Sequence, residues 1–152
     1  MASDDWNKVQ PIEILLAEDS PSDAGLTRQA LKRGHVTNNL HHVEDGVELM
    51  KFLRREAPYE NAPRPDVILL DLNMPRMDGR EVLNALLKDD ELRSIPVVVL
   101  TTSDAESDVL TAYNLKASCY IRKPVDLPQF LSAMQSFENF WLTWVKLPPN
   151  GH

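Results

Sequence analysis

The sequence has no apolar run approaching the roughly 20 residues that a membrane-spanning helix needs, which argues against a membrane protein. Its start, Met1-Ala2-Ser3-Asp4-Asp5-Trp6, is acidic and has no apolar signal core, which argues against secretion. Cysteine is nearly absent. The single Cys119 has no partner for an internal disulfide, so a reducing, cytoplasmic setting is expected. Positive charge is also scarce: the formal net charge is −7 and no Lys/Arg cluster stands against it. Binding to nucleic acid is therefore disfavoured, because counterion release from phosphates needs a basic face. There is no internal repeat and no low-complexity segment. What remains is 152 residues, 43% hydrophobic and 26% charged, enough for one compact globular domain. The expected layout is an N-terminal tail over 1–11, a folded domain over 12–147 ending in an extended aromatic helix, and a short tail over 148–152.

The dominant pattern is a short apolar run followed by a helical segment, five times over. Ile12 to Ala17, Val67 to Leu70 and Val97 to Leu100 are nearly continuous in apolar residues. Such runs suit strands buried on both faces, as in a parallel sheet covered by helices. Leu40 to Val43 and Ser118 to Ile121 predict two weaker strands. Ser20-Pro21 predicts a helix start with proline in the first turn, and Gly34 a stop. Val47, Met50 and Leu53 share a face of a second helix that Ala57-Pro58 ends. Gly79 precedes a third through about Asp89, Asp104 caps a fourth through about Leu115, and Asp126 caps the last. Five strand–helix pairs predict a doubly wound α/β sandwich, whose sites gather at the carboxyl ends of the strands. Glu18-Asp19, Asp71, Thr101 and Lys123 all fall at such ends.

Three carboxylates from Glu18, Asp19 and Asp71 would repel one another if close, and a divalent cation relieves this better than protonation. Mg2+ (or Mn2+) prefers oxygen ligands and keeps several waters. Asp19 and Asp71 are expected to ligate directly, with the backbone carbonyl of Asn73 as a third protein ligand and Glu18 holding a metal-bound water. Asp71 is then a candidate nucleophile toward a phosphoryl group, giving an aspartyl phosphate. Charge on the phosphoryl oxygens needs stabilising from several sides. Lys123 can supply one as a point charge, and the Thr101 hydroxyl another. Pro124, after Lys123, is a candidate cis-proline that aims the lysine. Singly, these pieces have bland readings: acids near a strand end cap helices, and Lys-Pro punctuates loops. The segment Asp71-Leu72-Asn73-Met74-Pro75-Arg76-Met77-Asp78-Gly79 is more specific, and the pieces occur in order, each behind its own strand.

With these residues in place the chain resembles the receiver domain of two-component response regulators. The match runs roughly from Ile12 to Phe137 and includes Glu18-Asp19, the Asp71–Gly79 loop, Thr101, Tyr120 and Lys123-Pro124. The resemblance implies a flavodoxin-like fold of five parallel strands in the order 2-1-3-4-5 with five helices. It implies phosphotransfer from a sensor histidine kinase to Asp71. It also implies a switch in which the Thr101 hydroxyl turns toward the phosphoryl group and Tyr120 moves inward. One departure is Glu18, where many members have Asp. The long loop Tyr59-Glu60-Asn61-Ala62-Pro63 and the ending Phe140 to Pro149 resemble the response regulators that partner cyanobacterial phytochromes.

Other residues invite over-reading. His41 and His42 are adjacent on a strand, so they face opposite ways and cannot share a metal. Cys119 is expected to be a small buried hydrophobe, and Met50, Met74 and Met77 core filler. The aromatic ending is different. Phe130, Met134, Phe137, Trp141 and Trp144 form one apolar seam, and Ala133, Phe137, Phe140, Trp144 and Leu147 a second. One helix cannot easily bury both against one sheet, so Phe137, Phe140, Trp141 and Trp144 are expected to form a homodimer interface. The expected function is a signalling switch without an attached output domain, acting on a downstream protein that the sequence does not identify. The alternative is an aspartyl-phosphate phosphatase or phosphotransferase. Such enzymes commonly carry a second acid two residues past the nucleophile, where this chain has Asn73 and so lacks the proton donor.

Overall fold

The computed structural model describes residues 11–33, 37–102 and 119–135. Along them run β1 (Ile12–Ala17), α1 (Pro21–Arg33), β2 (Asn38–Val43), α2 (Gly46–Leu53), β3 (Val67–Asp71), α3 (Gly79–Leu87), β4 (Val97–Thr101), β5 (Cys119–Arg122) and α4 (Leu127–Gln135). The strands make one parallel sheet in the order β2-β1-β3-β4-β5, the flavodoxin-like arrangement. The helix expected over Asp104 to Leu115, the stop at Gly34, the N-terminal tail through residue 10 and the aromatic ending from residue 136 onward lie outside the described residues.

Alternation along the central strands divides the core into two layers. Leu15, Ala17, Ile68, Leu70, Val97 and Val99 face Leu49, Met50 and Phe52 of α2 and Val82, Leu83 and Leu86 of α3. Ile14, Leu16, Val67, Leu69, Val98 and Leu100 face Ala24 and Leu31 of α1 and Phe130, Ala133 and Met134 of α4. Both faces of β1, β3 and β4 are covered, which is why these strands are apolar at almost every position. Each fully buried Leu, Ile or Val contributes roughly 1.5–3 kcal/mol, so the central strands form a stiff frame. Their carboxyl ends share one edge, and the site residues stand there.

The helix starts are set by side-chain caps. Ser20 Oγ accepts from the Asp23 N–H at 3.2 Å, Asp45 from Glu48 at 2.9 Å and Asp126 from Gln129 at 2.9 Å. Asp78 and Glu81 form a reciprocal capping box, which makes Gly79 the first helical residue of α3. Several boundaries differ from the sequence expectation. α2 ends at Leu53 because Arg54 closes it and Arg55 turns left-handed at φ 54°, well before Pro58. Its buried face is Leu49, Met50 and Phe52, with Val47 and Leu53 half-buried. α3 stops at Leu87 because Asp89 turns to capping the next turn, accepting from Glu91 and Leu92. β2 begins at Asn38, two residues early, since Asn39 anchors on Glu13 of β1. Cys119 is half-buried against the core rather than enclosed, as an edge-strand residue would be. Met50 and Met74 are buried, and Met77 packs half-buried against the same layer.

Candidate functional site

Glu18 and Asp19 follow β1, and Asp71 is the last residue of β3, the strand next to it. The pairing of the two strands brings an oxygen from each of the three carboxylates within 4.8 Å of the others. Glu18 and Asp71 are buried, at 1% and 4% exposure, while Asp19 is exposed. That is an open-sided oxygen cluster with one acid turned to solvent, a donor set that suits a small hard divalent cation. Burial, the largest influence, pushes the Glu18 carboxyl up to about 7. The Lys123 hydrogen bond works against that rise, and Asp71 adds to it.

Lys123 enters from beyond β5, in the turn that carries a cis Lys123–Pro124 peptide. Its backbone N–H donates to the Thr101 carbonyl at 2.8 Å, which ties the turn to the end of β4. The side chain is 8% exposed, and its Nζ donates to Glu18 Oε1 at 2.8 Å, Asp23 Oδ2 at 3.0 Å and Asp71 Oδ2 at 3.4 Å. Burial alone would lower the ammonium's pKa, but the hydrogen bonds to Glu18 and Asp23 and the charge of Asp71 hold it above its ordinary range. Three carboxylates thus hold one ammonium, with Asp19 beside two of them, and the surplus of negative charge favours a cation. Thr101 is buried beside this group, at the end of β4.

The loop from Asp71 to Gly79 is strapped down at several points. The Asn73 N–H donates to Asp71 Oδ1 at 3.2 Å, with Asn73 itself exposed. The Gly46 N–H donates to the Met77 carbonyl and the Gly79 N–H to the Leu72 carbonyl, each at 2.9 Å. Arg76 sits in left-handed backbone at φ 65°, a region costly for any residue with a Cβ. Its guanidinium grips both oxygens of Asp45, at 2.9 and 3.2 Å, and reaches Glu48 at 3.1 Å. Burial opposes ionisation of Asp45, but Arg76 and the capped N–H groups of α2 hold its carboxyl below the usual range. Glu48 in turn accepts from the Tyr59 hydroxyl at 2.6 Å, so the tether extends into the loop before β3.

The fold brings together Glu18, Asp19, Asp71, Asn73, Thr101, Lys123 and Pro124. Tyr120 lies on β5 with its side chain 43% exposed, at the surface. Phe137, Phe140, Trp141 and Trp144 lie outside the described residues. His41 and His42 do face opposite ways: His41 bonds Glu13 and tilts over Phe52, while His42 Nε2 donates to the Glu18 carbonyl at 2.7 Å. Sequence reasoning missed His42 as a support of Glu18, the Arg76 tether, and above all Asp23. The only signal for Asp23 was an acid in the first turn of a helix, which ordinary dipole complementarity already explains.

The profile of the response regulator receiver domain matches residues 14–135, and the chain belongs to that family. It is a signalling protein rather than a classical enzyme. More narrowly, it is similar to response regulators of the phytochrome type. It is 46% identical over 138 residues to response regulator Rcp1 of Synechocystis sp. (strain ATCC 27184 / PCC 6803 / Kazusa), covering 91% of this chain and 94% of that protein. The solved structure of the phosphorylated cyanobacterial phytochrome response regulator RcpA superposes with a TM-score of 0.73 at 45% identity, over 88% of this chain and 96% of the other. The Mn2+-bound form of Rcp1 gives a TM-score of 0.72 at 46% identity, over 91% and 99%. The Glu18–Asp19–Asp71 cluster fits the divalent-metal site of receiver domains. Among the described residues no helix is long and apolar enough to cross a membrane.

Proposed function

We propose that this chain accepts a phosphoryl group on Asp71 from a sensor histidine kinase of the phytochrome type, and that the modified site switches a protein-binding surface. The observation that carries this reading is the buried Asp71 carboxylate at the end of β3, with the cation-fitting acids on one side and the Lys123 ammonium 3.4 Å away on the other. An Asp71 carboxylate oxygen attacks phosphorus as the bond from phosphorus to the donor's histidine nitrogen breaks, and that nitrogen keeps the electron pair. Asp19, Asp71 and the Asn73 carbonyl would hold a Mg2+ or Mn2+ ion, with Glu18 reaching it through a water, and the ion would help neutralise the phosphoryl charge. Lys123 shifts from its carboxylate partners toward the phosphoryl oxygens, and the Thr101 hydroxyl donates to another of them. Thr101 and Tyr120 then carry the change toward the surface beside β4 and β5. Asn73 supports slow turnover, since no acid stands two residues past Asp71 to donate a proton.

Two further parts complete the reading. The partners are a histidine kinase and a downstream protein, met in the cytoplasm. The two apolar seams, which between them carry Phe137, Phe140, Trp141 and Trp144, support a homodimer. The experiment is phosphotransfer from an autophosphorylated, purified phytochrome-type histidine kinase to this protein, with sedimentation before and after. Label is expected to pass to Asp71 and the dimer fraction to change. Label that stays on the kinase, while a known receiver in the same assay accepts it, would refute the proposal.

A further inference from the structure

Lys123 Nζ has three carboxylate partners, and they are not equivalent. Glu18 and Asp71 belong to the cluster whose oxygens lie within 4.8 Å of one another and would surround a divalent cation. Asp23 does not. It stands in the first turn of α1, one third exposed, with its Oδ2 3.0 Å from the ammonium. Its backbone is fixed from both sides: its N–H donates to the N-cap Ser20 Oγ at 3.2 Å, and its carbonyl accepts from Thr27 Oγ1 at 3.1 Å. α1 therefore presents this carboxylate to a lysine 100 residues further along the chain.

An ammonium and a divalent cation compete for the same acids. Any cation that enters the Glu18–Asp19–Asp71 cluster repels Lys123 and weakens its hold on Glu18 and Asp71. A side chain only 8% exposed cannot recover that loss from water. Asp23 offers the ammonium a partner that the cation does not need. We propose that Asp23 is a positioning residue for Lys123, holding the ammonium at the site when a divalent cation takes over Glu18 and Asp71. The inference rests on the phosphoacceptor reading above and adds a residue to it. Without Asp23, Lys123 leans wholly on Glu18 and Asp71 and resists the entry of the cation. The competing account makes Asp23 only a favourable charge at a helix N-terminus, and that charge has no special link to Lys123.

A double-mutant cycle read by calorimetric titration of Mg2+ separates the two. Asp23→Asn is expected to weaken Mg2+ binding about tenfold when Lys123 is present. In the Lys123→Ala background the same change should cost about twofold or less, the residue of its long-range field. Asp23→Glu should recover part of the wild-type affinity. Thermal melts of the metal-free proteins confirm that each variant is folded, and phosphorylation at saturating Mg2+ gives a second readout, slower in Asp23→Asn. Equal losses in both Lys123 backgrounds, or no loss in either, would overturn the role of Asp23 while leaving the phosphoacceptor reading standing. A wild type that binds no Mg2+ would refute that reading and this proposal with it.

Discussion

Gly79 lies where the Asp71–Gly79 loop turns into α3, and its replacement by alanine tests how tightly that loop is built. No positive φ demands a glycine at this position; space does. A Cβ there would lie 2.6 Å from the Asp71 carbonyl oxygen, 2.7 Å from Leu72 Cα and 3.1 Å from Leu72 Cδ2. The first two are backbone atoms of Asp71 and its neighbour, several tenths of an ångström inside ordinary contact. They cannot retreat freely, because Asp71 pairs with β4 and the Leu72 carbonyl accepts from Gly79 itself at 2.9 Å. Overpacking of this kind costs about 1–3 kcal/mol, and helix propensity returns up to about 1 kcal/mol for Gly→Ala. With the full return the net loss is up to about 2 kcal/mol, or up to roughly 8 °C in melting temperature for a domain of this size. The displaced atoms belong to Asp71 and the residue before Asn73, so Mg2+ affinity should fall as well, by several-fold. Calorimetric melting paired with Mg2+ titration measures both. A Gly79→Ala protein that melts at or above the wild type and binds Mg2+ equally well would refute the close approach described here.

Other outcomes follow from the same geometry. Asp19→Ala should weaken Mg2+ binding more than Glu18→Ala, because only Asp19 is assigned a direct bond; equal losses or the reverse order in calorimetry would contradict the ligand roles. The Glu18 carboxyl is raised from 4.5 to about 7 in the fold, so between those values the folded state holds a proton that the unfolded state has lost. Metal-free protein should therefore lose stability as pH rises from about 4.5 through about 7, a trend that Glu18→Gln should flatten in denaturant titrations and that an unchanged slope would disprove. Thr101→Ala should still take up phosphate on Asp71 but lose part of the phosphorylation-linked change in partner binding or sedimentation; a full response would show that coupling runs elsewhere.

The frame and most of the site could be read in the sequence because both are written in local chemistry. β1, β3 and β4 are buried on both faces, so their runs are continuous, and the candidate acids, Thr101 and Lys123 each end a strand or follow one directly. β2 and β5 gave weaker signals because edge positions mix polar residues such as Asn38, His41 and Arg122 with apolar ones. What could not be read was pairing across distance. Arg76 gives no local sign that it will grip Asp45 and Glu48, 31 and 28 residues earlier. Nothing near Asp23 points to Lys123, and the ordinary use of acids in first helical turns hides the contact. The end of α2 at Leu53 was also hidden, since Pro58 looked like the obvious stop and the left-handed turn at Arg55 carries no glycine.

The central claim is that Asp71 alone receives the phosphoryl group, with Glu18 and Asp19 beside it occupied by the cation and its water. Its most direct test is labelling with a small-molecule phosphodonor and Mg2+, comparing wild type with Asp71→Asn and locating the label by peptide mass spectrometry. The account predicts one labelled site in the wild type, at Asp71, and none in the variant. Label in Asp71→Asn at the wild-type level would contradict it.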